Sequence, residues 1–488
     1  MRPILCCAIL ASFACGCTAL APSKGGGQVI PSASRRVNPA DIAVPPGYRV
    51  EVVATGLNFP TGVAFDDQNR PCVTEAGYSY GEVFTTPRLV RIEPGGRLAP
   101  IATGSPEAGP WNGVDFRDGA FFVAEGGEKS GGRISRIDAN GTITPIVRNL
   151  PSLGDHHTNG PVVSADGYVY FGVGTATNSG IVGEDNFHYG WLKRVPDFHD
   201  VPARAVKLVG HNVTTDNPVT AEQGDTATTG AYVPFGTPTQ PGQVINGRMP
   251  CNGAVMRVRA TGGEPELVAW GMRNPYGLAF DAEGKLLVAE NQFDDRGSRP
   301  VWGAGDLLWR IDRPGLWYGW PDFHGDRPLA WKDHYQPHGK DAPRPLLAER
   351  PNDPPAPAAV LGVHASACGL DVSRTDAFGF AGQAMVALFG DMAPEVGKVL
   401  EPVGYAVVRV DPSSGVIESF AVNRGGKTNG PASKLKTGGL ERPIAARFDR
   451  TGTALYVVDF GQLAITPTGP TPVQKTGVLW RITREAAR

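Results

Sequence analysis

The stretch from Tyr276 to Asn291, YGLAFDAEGKLLVAEN, holds two short β-rich runs on either side of an Asp-Ala-Glu-Gly turn. Alternating residues around a glycine-containing turn are typical of an antiparallel β-hairpin. The same phrase recurs five more times: a small residue, a β-rich run, a turn with Asp, Asn or Gly, and a second run. The other copies begin at Pro60, Trp111, Asn159, Cys368 and Arg442.

A third β-rich run follows most copies, with Arg or an apolar residue at alternate positions, as in RLVRIEP from Arg88 and GVLWRIT from Gly477. Six such groups of about four strands predict an all-β fold, a six-bladed β-propeller with four-stranded antiparallel blades. The run YRVEVVATGL from Tyr48 precedes the first copy. We expect it to pair with the last blade and close the ring, which removes an open sheet edge.

The composition is rich in turn-forming residues, with 64 Gly and 44 Pro among 488 residues. This excludes a long helical bundle, while 41% hydrophobic residues are enough to bury a large core. The formal net charge of −2 offers no basic face for nucleic acid. The partners are therefore expected to be small molecules.

The first residues, MRPILCCAILASFACGC, pair an early arginine with a short apolar stretch that ends in small residues. This pattern predicts a signal peptide over residues 1–17 and export to the periplasm or the cell surface of a bacterium. Cys17 is a candidate for lipidation, which would provide the only membrane contact; the alternative is ordinary cleavage near Ala19 or Ala21. We expect residues 18–41 to form a flexible tether and residues 42–488 to form the propeller.

Two long insertions interrupt the repeats, from Thr175 to Arg248 and from Gly315 to Pro357. The first should lie inside blade 3, between its second and third strands, and long loops of this kind are usually functional. Both insertions are expected to rise over one face of the ring. Beyond the leader, the cysteines are Cys72, Cys251 and Cys368, whose spacing indicates neither a zinc site nor an attached haem and allows one disulfide.

Two polar segments precede inner strands and should therefore lie at the mouth of the central channel. His156 or His157 could act as a general base there, against the alternative of a surface or structural role. Arg273 and Asn274 suit a carboxylate or a quinone oxygen, against the alternative of a salt bridge between blades.

The loop after Glu290 collects oxygen ligands of the kind that calcium prefers, including Asp294 and Asp295, with Asp306 further on. Its spacing does not match an EF-hand. The alternative is a solvated turn, which is the commoner role of two adjacent aspartates in a loop.

Three phrases together resemble the glucose/sorbosone dehydrogenase family, six-bladed propellers that use pyrroloquinoline quinone. They are GMRNPYGLAFDAEGKLLVAEN from Gly271, GLWYGWPD from Gly315 and DHHTNGPVVSADGYVYFGVG from Asp155. The resemblance covers the chain from about Ile42 to Thr483. The phrases HASACGLDV from His364 and VGYAVVRV from Val403 are more similar to the sorbosone branch.

The resemblance implies a base that removes the alcohol proton while hydride passes to the quinone, and it places this base at His156. Arg273 would polarise the quinone carbonyl, and calcium would be bound by the backbone carbonyls of Gln292 and Phe293, in a turn lengthened to reach Asp306. The implied cofactor contacts are Asn274, Lys398, Arg442, Trp111 and Asn112. The chain departs from the family pattern at two positions. Thr175 stands where the family has an acidic residue that orients the base, and Ile444 stands where the family has a second arginine that contacts the cofactor.

These observations predict that the protein is an exported, calcium-assisted quinoprotein. Its substrate would be an aldose or a sorbosone-like aldehyde or hemiacetal. Trp111, Trp317 and Trp320 could stack on the sugar, and the electrons would pass to an external quinone or cytochrome. The alternative is a non-catalytic cell-surface propeller that binds carbohydrate or protein and has lost the cofactor. A calcium-dependent lactonase ranks last, because Asp294, Asp295 and Asp306 belong to one loop and do not converge from several blades.

Overall fold

The computed structural model describes residues 22–31, 34–77, 85–127, 130–220, 222–425, 429–466 and 469–485. Six antiparallel sheets of at least four strands form a six-bladed β-propeller, which confirms the predicted fold class. The signal peptide and Cys17 lie outside the described residues.

The blades are given from the inner strand outward. Blade 1 consists of Pro60–Phe65, Pro71–Glu75, Arg88–Glu93 and Arg97–Thr103; blade 2 of Trp111–Arg117, Ala120–Glu125, Gly132–Ile137 and Ile143–Leu150; blade 3 of Thr158–Val163, Tyr168–Val173, Ala254–Arg259 and Glu266–Trp270. Blade 4 consists of Asn274–Phe280, Leu286–Asn291, Gly305–Ile311 and Ala359–Val363; blade 5 of Ala367–Val372, Ala384–Leu388, Ala406–Val410 and Ile417–Asn423; blade 6 of Pro443–Phe448, Ala454–Asp459, Gly477–Arg484 and Tyr48–Leu57.

The ring is closed as the sequence predicts. The N-terminal strand Tyr48–Leu57 is the outermost strand of blade 6 and pairs antiparallel with Gly477–Arg484. A two-residue strand, Ile42–Ala43, likewise adds to the outer edge of blade 5. Chain segments from the two ends therefore share one sheet, so that the last blade is not left with an open edge.

The inner strands pack so closely that small residues are required where they meet. A Cβ atom on Gly113 in blade 2 would lie 2.1 Å from the carbonyl oxygen of Gly160 in blade 3. A Cβ atom on Gly277 in blade 4 would lie 2.2 Å from the carbonyl oxygen of Cys368 in blade 5. Glycines such as these, which contribute to the turn-rich composition, thus allow neighbouring blades to approach each other at the channel.

The first insertion joins the second and third strands of blade 3. It contains two short helices, Glu184–His188 and Trp191–Arg194, and two strand pairs, Val206–Lys207 with Val244–Ile245 and Val213–Asp216 with Thr226–Thr229. The second insertion joins the third and fourth strands of blade 4. Its elements are Leu316–Trp317, which pairs with blade 3, the hairpin Phe323–His324 with Arg327–Pro328, and the helix Lys332–Tyr335.

Three 3-10 turns, a helix and a hairpin complete the described elements. They are Gly26–Gln28, Pro39–Asp41, Pro94–Gly96, Ala432–Leu435, and Leu463–Thr466 paired with Gly469–Pro472. None of the helices in the described ranges is long and apolar enough to cross a membrane.

The two insertions pack on each other. The ring of Tyr232 in the first meets that of Trp320 in the second edge-on at 5.7 Å. The backbone N–H of Val209 donates to the carbonyl of Leu346 at 3.0 Å. Trp317 is fully buried and its Nε1–H donates to the carbonyl of Trp320, so both tryptophans belong to a hydrophobic core and are not free to stack on a sugar.

The three cysteines after the leader, Cys72, Cys251 and Cys368, are all free thiols in buried positions. The disulfide that their number allowed is therefore not formed in this structure. Burial raises the pKa of Cys72 and that of Cys251 to about 12, so neither thiol is in the reactive thiolate form.

Candidate active site

A cavity of about 1070 Å³ opens at the end of the ring where the inner strands begin. Its lining includes the starts of four inner strands, those of blades 2 to 5, together with the two helices of the first insertion and loops of blades 4 and 5. Six of the residues expected at the site line this cavity: His156, Arg273, Asn274, Asn112, Gln292 and Asp306.

His156 lies in the segment that leads into the inner strand of blade 3. Its Nδ1 atom is 2.9 Å from the carbonyl oxygen of Thr175, which places the proton on Nδ1 and the lone pair on Nε2. No hydrogen bond in the described ranges occupies Nε2. Burial, reinforced by the positive charges of Arg273 and Arg296, lowers the pKa of His156 well below its usual value. The imidazole is therefore neutral at neutral pH, the form that a general base requires.

His157, the other candidate base, is in a different environment. It also lines the cavity, but it is only 9% exposed and hydrogen-bonds to the backbone of Ser152. Its ring lies 6.5 Å from that of Trp191 in the first insertion. Burial lowers the pKa of His157 to about 4, so this residue is a neutral packing group.

Gly174, at the end of the second strand of blade 3, makes room for the candidate base. A Cβ atom at this position would lie 2.3 Å from the Cβ of His156 and 2.8 Å from the Oδ1 of Asn274. Both distances are shorter than a non-bonded contact allows. Glycine is therefore what permits the imidazole of His156 and the amide of Asn274 to lie side by side.

Four asparagines form a hydrogen-bonded chain along the cavity wall. The Nδ2 of Asn112 donates to the Oδ1 of Asn159 at 3.3 Å, and Asn159 donates to Asn274 at 2.8 Å. Asn274 donates to Asn291 at 2.9 Å, and Asn291 donates to the carbonyl of Ala367 in blade 5 at 2.7 Å. Because each amide is held by the next one, the chain fixes the orientation of polar groups from four blades at once.

Arg273 is 2% exposed and is held on three sides. Its Nε donates to the side-chain and backbone oxygens of Asn178, its Nη1 to the carbonyl of Asn291 at 3.4 Å, and its Nη2 to the carboxylate of Asp294 at 2.5 Å. A guanidinium has five N–H donors, so one N–H remains on each terminal nitrogen. These are the groups that Arg273 can offer to a ligand.

Arg296 is the centre of an ion cluster that sequence reasoning did not identify. Its guanidinium lies 2.8 Å from Asp155, 2.5 Å from Asp185 and 3.2 Å from Asp294. Burial raises the pKa of Asp155 to about 6 even though Arg296 is adjacent. Burial would also raise the pKa of Asp294, but Arg273, His364 and Arg296 lower it below its usual range. Asp294 is therefore an ionised group that is shared between two arginines.

His364 is a second histidine of the cavity that sequence reasoning passed over. It is 7% exposed, has a backbone φ of +59°, and its Nδ1 lies 3.5 Å from the carboxylate of Asp294. A positive φ on a non-glycine residue is uncommon and is found most often at functional positions. The sequence signal was its place just before an inner strand, as for His156.

Three of the residues expected to hold a cofactor do not line the cavity: Trp111, Lys398 and Arg442. Trp111 is fully buried in a cluster between blades 1 and 2, so its side chain does not reach the cavity. Arg442 is 1% exposed and donates to the carbonyls of Gly390 and Asp391. The cationic residues predicted from the resemblance therefore do not converge: of Arg273, Lys398 and Arg442, only Arg273 reaches the cavity.

The carboxylate of Asp306 is held by backbone groups of two blades. Its two carboxylate oxygens accept hydrogen bonds from the backbone N–H groups of Gln292, at 2.9 Å, and Ala367, at 2.7 Å, so the side chain joins blades 4 and 5. Burial raises its pKa to about 6. Phe293 is buried and outside the cavity lining, whereas the Oε1 of Gln292 is buried without a hydrogen-bond partner. In the described part of the chain, no three His, Cys, Asp or Glu side chains form a metal-binding group.

Several solved structures are similar to this chain in fold, all at low sequence identity. A Trichoderma reesei protein of Carbohydrate-Active Enzymes Family AA12 has a TM-score of 0.55 at 14% identity, with 93% of this chain and 100% of that chain covered. The holo form of the pyranose dehydrogenase PQQ domain from Coprinopsis cinerea has a TM-score of 0.52 at 13% identity, over 94% and 99%. The soluble aldose sugar dehydrogenase from Escherichia coli, in its apo form, has a TM-score of 0.50 at 15% identity, over 90% and 100%.

No protein-family model matches the chain, and no curated protein matches it in sequence. At identities of 13–15%, the similarity to solved structures shows the fold alone. The reaction must be inferred from the residues of the cavity.

Proposed function

We propose that the cavity is the active site of an oxidoreductase that oxidises an aldose or a sorbosone-like aldehyde or hemiacetal with pyrroloquinoline quinone. One observation carries this proposal: a neutral His156 with an unoccupied Nε2 lies beside the Arg273 and Asn274 pair in a cavity at the channel mouth. The fold likeness to a pyranose dehydrogenase PQQ domain and to an aldose sugar dehydrogenase is consistent with it.

The chain's own residues supply the acid–base and positioning parts of the reaction. The Nε2 of His156 takes the proton from the substrate hydroxyl, and the carbonyl of Thr175 holds the ring in the required tautomer. The two remaining N–H groups of Arg273 are suited to an oxygen that gains negative charge. Pyrroloquinoline quinone, when bound, supplies the two-electron acceptor for the hydride.

The residues present fit the quinone end of this cofactor better than its carboxylate end. Arg273 and the asparagine chain provide donors for quinone oxygens within the cavity lining. The three carboxylates need cations, and Arg442, the best-placed of the predicted partners, is covered. What covers Arg442 is considered in the next subsection.

Calcium remains part of the proposal, with the backbone carbonyls of Gln292 and Phe293 as ligands and without Asp306. The charge of the lining supports a bound cation. Six acidic residues line the cavity against four basic ones: Asp155, Glu184, Asp185, Asp294, Asp306 and Glu395 against Arg194, Arg273, Arg296 and Lys340. A divalent cation would offset this excess before an anionic cofactor binds. We derive no catalytic step through it.

The proposal includes export, lipid anchoring through Cys17 and electron transfer to an external quinone or cytochrome. These parts depend on the N-terminal sequence and on the lack of a CxxCH haem motif in the chain. Metabolic labelling with a fatty acid, compared between wild type and Cys17→Ala, would test the anchor. Secretion of an unlabelled wild-type protein would contradict it.

The enzyme proposal is tested by adding pyrroloquinoline quinone and calcium to the purified mature protein and following sugar-dependent dye reduction across a panel of aldoses and sorbosone. We expect His156→Ala to lower kcat by about 10²–10⁴-fold. His188→Ala is the matched control, because His188 lines the same cavity with a side chain that is 69% exposed and should keep activity. No turnover with any sugar would contradict the proposal, and an unchanged His156→Ala rate would contradict the base.

The second candidate is a non-catalytic propeller that binds carbohydrate or protein. One observation favours it: the carboxylate partner Arg442 is buried and does not reach the cavity. This candidate predicts calorimetric binding of a sugar or a protein partner in the absence of both quinone binding and turnover.

A further inference from the structure

The segment from Pro22 to Pro31, here called the strap, packs against the propeller, whereas its sequence predicts part of a flexible tether over residues 18–41. It lies against blades 5 and 6, and its three consecutive glycines, Gly25, Gly26 and Gly27, are buried. Glycine runs are usually flexible because they lack side chains to pack. In this protein their lack of side chains serves close packing.

Each of the three glycines fits only because it has no side chain. A Cβ on Gly25 would lie 2.4 Å from the carboxylate of Asp391, and one on Gly26 would lie 2.5 Å from the ring of Tyr405. A Cβ on Gly27 would lie 2.4 Å from the Nη2 of Arg442. The backbone of the strap is therefore in close contact with Asp391, Tyr405 and Arg442.

In the described part of the chain, the hydrogen bonds between the strap and the propeller involve Ser23, Lys24, Gly25 and Gly26. The backbone N–H of Gly26 donates to both carboxylate oxygens of Asp391 at 3.2 Å, and that of Lys24 donates to the carbonyl of Val399 at 2.8 Å. The Nζ of Lys434 donates to the carbonyl of Lys24 at 3.1 Å. These contacts are polar and local, so they can be exchanged for water without unfolding a blade.

Beneath the strap, Arg442 is an incompletely satisfied cation. Its guanidinium is stacked between the rings of Phe389 and Tyr405, 4.9 and 5.2 Å from their centroids, and its Nη1 donates to two backbone carbonyls. Its side chain also hydrogen-bonds to that of Tyr405, whereas its Nη2, which faces Gly27, has no hydrogen bond of good geometry. Leaving a charged N–H group buried and unpaired is unfavourable, whereas a carboxylate on the same atom would be a strong charge-assisted partner.

The elements that hold the strap are also elements of the cavity. Phe389, which stacks on Arg442, lines the cavity together with Met392, Glu395 and Val396 of the same blade-5 loop. On the other side, a Cβ on Gly27 would lie 2.9 Å from Ile465, in the hairpin whose Gly469 and Pro470 line the cavity. The strap therefore lies next to the cavity wall and covers Arg442, an expected cofactor contact that does not line the cavity.

We propose that the strap is a displaceable occupant of a carboxylate-binding subsite at Arg442, and that an anionic aromatic ligand in the cavity binds there by releasing residues 25–27. This inference rests on the proposed function for the identity of the ligand. It predicts that the strap and the ligand compete, because both require the Nη2 face of Arg442. The ligand's affinity is then reduced by the fraction of molecules in which the strap is docked.

The competition is tested by amide hydrogen exchange of residues 22–31 in the full mature chain, measured alone and with two probes. The probes are pyrroloquinoline quinone and the redox-inert benzene-1,3,5-tricarboxylate. We expect slow exchange in the free protein and faster exchange with either probe. If either probe binds while the exchange of the strap stays slow, or if neither probe binds, the proposal is overturned.

Three variants sharpen the test. Gly27→Ala should exchange fast without ligand and bind both probes about tenfold more tightly, because the new methyl prevents docking. Arg442→Gln should lose the ligand-induced release. Gly47→Ala is the control for a glycine substitution outside the strap: its methyl would meet nothing within 4 Å, and the strain at its φ of +84° should lower stability without changing the affinity for either probe. Equal affinity of Gly27→Ala and wild type would overturn the proposal, and the wild-type exchange experiment stands even if Gly27→Ala does not fold.

The outcomes separate this proposal from the oxidoreductase proposal. Sugar oxidation with a strap that stays protected would overturn the strap proposal and leave the enzyme proposal intact. Release of the strap by the tricarboxylate in a protein without turnover would support the subsite and count against the enzyme.

Discussion

The Nδ1 atom of His156 lies 2.9 Å from the carbonyl oxygen of Thr175 and 3.3 Å from its hydroxyl oxygen. Thr175 stands where the family that the sequence resembles has an acidic residue to orient the histidine. The backbone carbonyl performs the orienting part of that role. It does not supply the negative charge that would stabilise an imidazolium, so His156 is held as a neutral base.

The pH dependence of the proposed reaction should reflect this environment. His156 must be deprotonated to act, and its folded-state pKa is lowered well below 6.5. Activity should therefore be lost only as the pH falls through that lowered pKa. We expect the acid limb of log kcat/KM against pH to lie below pH 6.5, measured from about pH 4.5 to about pH 8. An acid limb at or above pH 6.5 would show that the histidine is not held neutral by burial and by the arginines.

Substitution of Gly174 should impair the site while leaving the fold intact. In Gly174→Ala the new methyl collides with His156 and with the amide of Asn274, so we expect kcat to fall by roughly 10²-fold through displacement of the base. Gly167→Ala is the control for a glycine substitution in the same blade: its methyl would meet nothing within 4 Å, and although its φ of +80° costs some stability, it should keep its activity. Equal activity of the two variants would contradict the positioning role of Gly174.

Removal of the carboxylate that links the arginines should destabilise the protein. In Asp294→Asn, Arg273 and Arg296 lose a shared buried counter-charge, and we expect the free energy of unfolding to fall by about 3–5 kcal/mol. Glu184→Gln alters another cavity-lining acid whose side chain is 61% exposed, and it should change stability by less than about 0.5 kcal/mol. Urea unfolding of the two variants measures both values. Similar losses would show that the ion cluster has no special stabilising role.

Asp200 should make the stability depend on pH through the loop that holds His156. Asp200 accepts hydrogen bonds from Ala176 and Thr177, and burial raises its pKa from 3.8 to about 7. Between these values the folded protein binds a proton that the unfolded chain does not, so this group's contribution to stability declines as the pH rises from 3.8 to about 7.

Asp200→Asn keeps an acceptor for Ala176 and removes that titration. The unfolding free energy of the variant relative to wild type should therefore rise by roughly 2–4 kcal/mol between about pH 4 and about pH 8. Asp118→Asn, at a position that is 88% exposed, is the control. A flat difference between Asp200→Asn and wild type would contradict the raised pKa.

Local pattern was enough to predict the propeller. Each hairpin is encoded by alternation and a turn within about 20 residues, and closure by Tyr48–Leu57 follows from one unpaired run and one incomplete blade. The positions of His156, Arg273 and Asn274 at the channel mouth followed from the same repeat, because residues before inner strands meet at one end of the ring.

Only the tertiary structure decided which of these groups act together. Asp155, Asp185 and His364 lie far along the chain from Asp294 and Arg296, and nothing in the sequence shows that these groups pair with one another. Asp306 was taken for a metal ligand because sequence shows a carboxylate but not the two backbone N–H groups that occupy it. The glycine run from Gly25 to Gly27 reads as a flexible linker, and it is packed because Asp391, Tyr405 and Arg442 form a surface that accepts only bare backbone. Alternation and turns are local properties, so the sequence by itself determined the blades, whereas burial, charge pairing and close packing depend on residues that are distant along the chain.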